Sequence, residues 1–249
     1  MFSKLESHFD LKVLGETRKL LGVEFQQVGN NMYIHQHSYI SKIYQTYEKY
    51  KPPISSLPIA VGTVLSKSQC PNSQEEDSTM SKLPFRNLLG CLSFLASRTR
   101  PDISYAINIL SQFQSNPGLA HWNVLLKLLG YVYYTKDYKL NISQVSQNEI
   151  NCYSDADFAA NRDDRISIGG TILFIDSSPI IWRTFKQKCV SLSTLEAEYV
   201  SLTESVKELT WILNIIKELF ECKVLNVNFE SNLFSYKSKG KFLGNSSEE

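Results

Sequence analysis

The pattern of apolar residues changes between residues 136 and 149, and this change most constrains the fold. Before it, Phe85, Leu88, Leu92 and Leu95 repeat at the spacing of a helix face, whereas short apolar runs typical of strands follow residue 150. The interval itself is polar. The pattern predicts a mainly helical region over residues 1–140, a strand-rich region over 147–232 and a polar tail over 233–249.

The helical region is predicted to begin with a hairpin over residues 20–35. Ser38 is a candidate N-cap for a helix that ends before Pro52. Residues 54–82 hold prolines, serines and an acidic run, and they are predicted to form a long loop. Three helices are predicted over residues 83–135.

The strand-rich region is predicted to contain strands at 150–155, at 169–175 and over 179–191, the last with a turn inside it. A long helix should run from residue 194 to 220 and be followed by a strand at 225–229, which is parallel to the first strand if a helical crossover joins them. The predicted buried stripe of this helix comprises Leu195, Tyr199, Leu202, Val206, Leu209, Leu213, Ile216 and Phe220. The predicted fold class is therefore α/β, or more broadly α+β.

Composition excludes several classes of protein. The 249 residues are 43% hydrophobic, which argues against disorder throughout. The sequence contains no apolar run of membrane-spanning length and no signal peptide. Five cysteines without a C-x-x-C pair indicate a reducing compartment, the cytoplasm or the nucleus. The net charge is +1, far below that of a strong phosphate-binding domain.

Three carboxylates of the strand-rich region are candidate catalytic residues and metal ligands. Asp155 ends the first predicted strand, Glu196 lies in the first turn of the long helix, and Glu230 ends the last strand. A sheet can gather such residues at one point, and two Mg²⁺ ions about 3.5–4 Å apart need such a cluster to clamp a phosphodiester. These three acids are therefore the candidates for such a cluster.

Local sequence leaves alternatives open for these acids. Ser193 and Glu196 have the spacing of a capping box, in which the glutamate accepts a backbone hydrogen bond. Glu198 lies two residues further on, so it points to a different helix face and is predicted to be a surface or hydrogen-bonding residue. Asp157 alternates with Asp155 and could share its side of the strand.

Residues 153–204, which begin YSDADFAANRDD and end STLEAEYVSLTE, resemble the RNase H domain of copia-type LTR retrotransposon Pol polyproteins. Residues 10–25 resemble the reverse-transcriptase segment that follows the polymerase Asp-Asp motif. Residues 85–113 and 121–135 resemble the thumb and tether of the same polyprotein. The resemblance covers about residues 10–232 and implies a helical thumb and tether followed by an incomplete RNase H-like mixed sheet.

For function, the resemblance implies Mg²⁺-dependent hydrolysis of RNA in an RNA–DNA hybrid, with Asp155, Glu196 and a third acid holding the metal ions. The family has an aspartate as third acid, whereas this sequence has Glu230, whose extra methylene moves the carboxylate by about 1.5 Å. The polymerase aspartates and a fourth RNase H acid are not found in this sequence. We therefore expect a truncated Pol fragment that lacks polymerase activity and has weak or no nuclease activity.

Two other functions are compatible with the sequence. The chain could hold hybrid or duplex nucleic acid without catalysis, through basic residues of its first half. The candidates for these contacts are Arg98, Arg100, Lys127, Lys136 and Lys139. It could also be a vestigial open reading frame with no selected role.

Overall fold

A small antiparallel sheet opens the fold. The computed structural model describes residues 15–143, 149–220, 226–233 and 235–238. The sheet has the strand order β1-β2-β3-β4, with strands β1 (Lys19–Leu20), β2 (Val23–Val28), β3 (Asn31–His35) and β4 (Leu140–Asn141). The predicted hairpin is confirmed as β2 and β3. Strand β4 lies inside the interval where the apolar pattern changes, so part of that interval is bound into this sheet.

Helices supply the core of the first half. They are α1 (His37–Tyr47), α2 (Gln74–Ser81), α3 (Phe85–Arg98), α4 (Ser104–Ser111) and α5 (Leu119–Tyr134). The predicted apolar stripe of α3 is buried, with Leu88, Leu92 and Leu95 all at 0% exposure, and it packs with Leu125 and Leu128 of α5 in one cluster. Burial of this stripe is the main stabilisation that the helices gain from tertiary packing.

Two predictions for the first half are wrong. Residues 54–82 are not all loop, because α2 forms there with its N-cap Ser73, whose hydroxyl accepts from the Glu76 backbone N–H. Ser38 is not an N-cap, since α1 begins at His37 with Gln36 as its cap residue. The backbone N–H of Ser38 donates instead to the Glu24 carboxylate at 2.9 Å.

Arg100 lies in the interior of the first half. Its guanidinium is 2% exposed, and it donates to both carboxylate oxygens of Asp102 and to the carbonyl and hydroxyl oxygens of Thr135. The Tyr131 hydroxyl also donates to Asp102, at 2.8 Å. The expectation that Arg100 contacts nucleic acid is therefore wrong, because its donors are engaged inside the protein.

The second half is a mixed five-stranded sheet with one long helix. The elements are β5 (Glu149–Asp157), β6 (Ile168–Ile175), β7 (Ser178–Lys186), α6 (Thr194–Phe220), β8 (Asn226–Ser231) and β9 (Ser235–Ser238). The strand order is β7-β6-β5-β8-β9, and β8 is parallel to β5 as predicted, whereas the other pairs are antiparallel. The predicted fold class is confirmed: helices and two sheets form an α+β fold.

The boundaries of two predicted segments differ from the structure. The third strand is one continuous strand, and residues 188–191 lie in the loop that follows it rather than in a second strand. Strand β9 lies within the predicted polar tail, so residues 235–238 pair with β8. Residues 239–249 of that tail, like residue 225 of the predicted last strand, lie outside the described residues.

The buried face of α6 differs from the predicted stripe. Leu202, Leu209 and Ile216 are buried against the sheet, but Leu195 and Tyr199 are each 64% exposed. The predicted stripe is wrong at Val206 as well, which is 43% exposed, while Phe220 lies outside the residues whose side chains are described. No helix among the described residues is long and apolar enough to span a membrane.

Small hydroxyl side chains cause this difference. Ser201 and Ser205 are both at 0% exposure and face the sheet, where the Ser201 hydroxyl lies 2.7 Å from the Asp155 carbonyl oxygen. The spacing of large apolar residues places serine on the solvent-exposed side of a helix. Here the small serines allow α6 to lie close to the sheet, and Ser201 donates a hydrogen bond to the Asp155 carbonyl.

Side-chain hydrogen bonds connect the two halves. The Trp182 indole N–H of β7 donates to the Ala96 carbonyl of α3 at 2.6 Å. The Asn108 amide of α4 donates to the Thr184 carbonyl at 3.1 Å. Since these bonds join helices of the first half to the edge strand of the second sheet, the two sequence regions pack against each other.

We predict that Arg100→Met destabilises the fold by about 3 kcal/mol, because it removes a buried cation together with its hydrogen bonds to Asp102 and Thr135. Urea denaturation followed by circular dichroism measures the change. The matched control is Arg98→Met, at an exposed arginine two residues away, which should cost less than about 1 kcal/mol. Equal losses in the two variants would contradict the structural role of Arg100.

Candidate active site

The candidate site is formed at the end of β5, where side chains alternate between the two faces of the sheet. Cys152 and Ser154 are buried beneath α6, whereas Tyr153, Asp155 and Asp157 are exposed on the opposite face. Burial raises the pKa of the Cys152 thiol to about 12, so this thiol stays protonated and unreactive at neutral pH. The strand therefore presents carboxylates only on the face opposite α6.

Asn232 links two carboxylates at this strand end. Its side-chain Nδ2 lies 2.8 Å from Asp155 Oδ1 and 2.7 Å from Glu198 Oε1. The parallel register of β5 and β8 ends at the pair Ser154–Ser231, and Asp155 and Asn232 are the residues that directly follow this pair. Strand β5, the residue after β8 and the start of α6 thus contribute one side chain each.

Glu198 is the buried member of this cluster. The residue is 7% exposed, and its Oε2 has no hydrogen-bond partner among the described residues. Buried carboxylate oxygens are normally paired, so an unpaired one marks a position where a further donor or cation would be favourable. The prediction of a surface residue at Glu198 is therefore wrong, although the predicted hydrogen bonding is present.

Glu196 lies elsewhere and has the capping role that its local sequence allowed. Its Oε2 accepts from the Leu192 backbone N–H at 2.7 Å, and its own backbone N–H donates to the Ser193 hydroxyl at 3.2 Å. Residues two apart on a helix point to different faces, so only Glu198 turns toward Asp155. The structure thus connects Asp155 to Glu198 through Asn232, and the role of Glu196 as a metal ligand stays a prediction.

Glu230 and Asp157 lie on the face of the sheet opposite α6. Glu230 is exposed and pairs with Tyr153 in the parallel register. Tyr153 lies two residues before Asp155 on β5. Asp157 accepts a 2.5 Å hydrogen bond from the Tyr105 hydroxyl of α4, and burial together with this bond raises the pKa of Tyr105. Asp157 therefore contributes to the contact between the two halves, and the role of Glu230 as a ligand stays a prediction.

The described residues do not fit the predicted three-acid Mg²⁺ site. No group of three or more His, Cys, Asp or Glu side chains in the described part of the chain is arranged to hold a metal ion. Asp155 and Glu198 supply two carboxylates, but an amide N–H group, which repels cations, lies between them. Mg²⁺ prefers six oxygen ligands in octahedral geometry, and this donor set is poor for that purpose.

Comparison with known proteins identifies the family. The chain is 34% identical over 217 residues to the retrovirus-related Pol polyprotein from transposon TNT 1-94 of Nicotiana tabacum, covering 86% of this chain and 16% of the relative. Identity to the Pol polyprotein from transposon RE2 of Arabidopsis thaliana is 33% over 219 residues, which is 86% of this chain and 14% of the relative. An uncharacterized mitochondrial protein of Arabidopsis thaliana is 31% identical over 84% of this chain and 83% of its own length.

The chain belongs to the retrovirus-related Pol polyproteins of copia-type transposons. The resemblance to copia-type Pol polyproteins is thereby confirmed. This Pol-related chain spans about a sixth of the length of the TNT 1-94 polyprotein. No family model and no solved structure matches it.

Sequence reasoning on this Pol-related chain missed Asn232 and ranked Glu198 below Glu196. A signal for Glu198 was present, because Ala197 and Ser201, one residue before and three after it, are small and suited to close contact with a sheet. No comparable signal exists for Asn232, since its position depends on the register between two strands about 75 residues apart in sequence.

We predict that Glu196→Ala destabilises the fold by about 0.5–1 kcal/mol through loss of the helix cap, whereas Glu196→Gln changes stability by less than about 0.5 kcal/mol because the amide oxygen still accepts from Leu192. Thermal and urea unfolding measure both variants. Equal destabilisation by the two substitutions would show that the charge of Glu196, rather than its acceptor oxygen, is what matters.

Proposed function

We propose that this chain is a nucleic-acid-binding derivative of a retrotransposon Pol polyprotein whose second half is an RNase H-like domain with weak or absent nuclease activity. The observation that carries the proposal is the pairing of Asp155 with the buried Glu198 at the end of β5. The strand order β7-β6-β5-β8, with β8 parallel to β5 and one long helix packed on the sheet, supports the same proposal.

The resemblance implies hydrolysis of the RNA strand at a site where clustered carboxylates would hold metal ions, and bound ions would supply Lewis-acid chemistry there. Within this chain Asp155 and Glu198 would be the ligands contributed by β5 and α6. A stable metal site needs a third carboxylate. Glu230 pairs with Tyr153 rather than with Asp155, so it lies diagonal to Asp155 across the two strands. This shortage of ligands among the described residues supports weak or absent hydrolysis.

Nucleic-acid binding would depend on basic residues of the first half. With Arg100 excluded by its burial, the remaining candidates are Arg98, Lys127, Lys136 and Lys139. Lys127 is exposed on α5, and Lys136 lies over the Tyr133 ring at 4.7 Å. Lysine and arginine side chains that reach phosphates release counterions, so binding through them depends steeply on salt.

We predict salt-dependent binding to an RNA–DNA hybrid, measured by fluorescence anisotropy of a labelled duplex. Neutralising about four phosphates gives a slope of log K against log salt of about −3 to −4, and Lys127→Gln should reduce its magnitude by about 1. The matched control is Lys207→Gln on α6, which removes a lysine already paired with Glu204 and should leave the slope unchanged. Absence of salt-sensitive binding would overturn the binding function.

We also predict that the chain releases no RNA from a labelled hybrid above background with Mg²⁺ or Mn²⁺, and that Asp155→Asn is indistinguishable from the unmodified chain. Gel analysis of the labelled RNA strand measures release. Turnover that Asp155→Asn and Glu198→Gln abolish, but Glu196→Gln does not, would instead show an active nuclease that uses Asp155 and Glu198.

A further inference from the structure

We propose that Asn232 takes the place of a cation in this site, so that its side-chain amide holds Asp155 and Glu198 together without metal. This inference deepens the proposed function, because an RNase H-like domain is what makes a cation the expected occupant. The single Nδ2 group lies within 2.8 Å of one carboxylate oxygen and 2.7 Å of the other.

The hydrogen-bonding capacity of the amide matches this role. An asparagine amide has two N–H donors, and here one bond reaches Asp155 on β5 while the other reaches Glu198 on α6. Hydrogen bonds to ionised acceptors are about twice as strong as neutral ones. The amide therefore offsets part of the repulsion between two neighbouring carboxylates, which a cation would otherwise do.

A cation site at this position would need a third carboxylate. Glu198 is buried and its Oε2 has no partner among the described residues, so the amide satisfies only half of this carboxylate. Asn232 itself is exposed and directly follows Ser231, the last residue of β8 that pairs with β5. Aspartate has nearly the same size as asparagine, so Asn232→Asp places a third carboxylate between the other two with little steric change.

The proposal predicts opposite responses to metal in the two proteins. The unmodified chain should melt at the same temperature in chelator and in millimolar Mg²⁺ or Mn²⁺. Asn232→Asp should melt several degrees lower in chelator, because three carboxylates then repel one another, and should regain about 2–4 °C or more when metal is added. Differential scanning calorimetry of the full chain measures all four conditions.

Second-site variants identify the ligands. In the Asn232→Asp background, Glu198→Gln should abolish the response to metal, whereas the matched control Glu196→Gln should retain it. Asn232→Ala should lower the melting temperature in chelator without recovery in metal, since it removes the amide and adds no ligand.

Specific outcomes would overturn the proposal. A rise in the melting temperature of the unmodified chain with metal would show that a cation already binds alongside the amide. A folded Asn232→Asp protein without a response to metal would refute the assigned geometry. If Asn232→Asp fails to fold, Asn232→Ala tests the proposal instead. An unchanged melting temperature of Asn232→Ala would show that the amide does not stabilise the contact between Asp155 and Glu198. None of these measurements uses nucleic acid, so failure of hybrid binding would leave the inference standing.

Discussion

The close packing of α6 on the second sheet is the contact on which the candidate site depends. Ser201 bonds the Asp155 carbonyl, and Ser205 lies buried one turn further along the helix. A Cβ atom on Gly169 of β6 would lie 2.6 Å from the Phe185 ring and 3.0 Å from the Ser201 hydroxyl. Small residues on both surfaces therefore set the distance between helix and sheet, and that distance brings Glu198 to the end of β5.

Periodicity predicted the elements of this fold well, because helices and strands bury regular faces. The bounds of α6 match the predicted helix, and the parallel pairing of β5 and β8 follows from the crossover that joins them. Prediction failed where polar side chains determine structure. The α2 helix begins with a serine cap in a segment rich in loop residues, and serines rather than Leu195 or Tyr199 face the second sheet.

The candidate site was predictable only in part. Asp155 could be found because it lies two residues before the end of β5, where side chains approach the edge of the sheet. The choice between Glu196 and Glu198 required the rotation of α6, which its small residues determine. Asn232 required the register of a long-range parallel pair, and the burial of Arg100 required its bonds to Asp102 and Thr135. Such tertiary information is absent from local patterns.

The bond from the Trp182 indole to the Ala96 carbonyl has a consequence for folding. The carbonyl lies near the end of α3, and the indole lies on edge strand β7, more than 80 residues later in the sequence. The hydrogen bond therefore forms only when both halves of the chain are present. A nascent chain that has emerged only as far as β6 still lacks the indole. Cooperative unfolding should consequently span both sheets, and the boundary seen in the sequence pattern would not be a boundary between independently stable units.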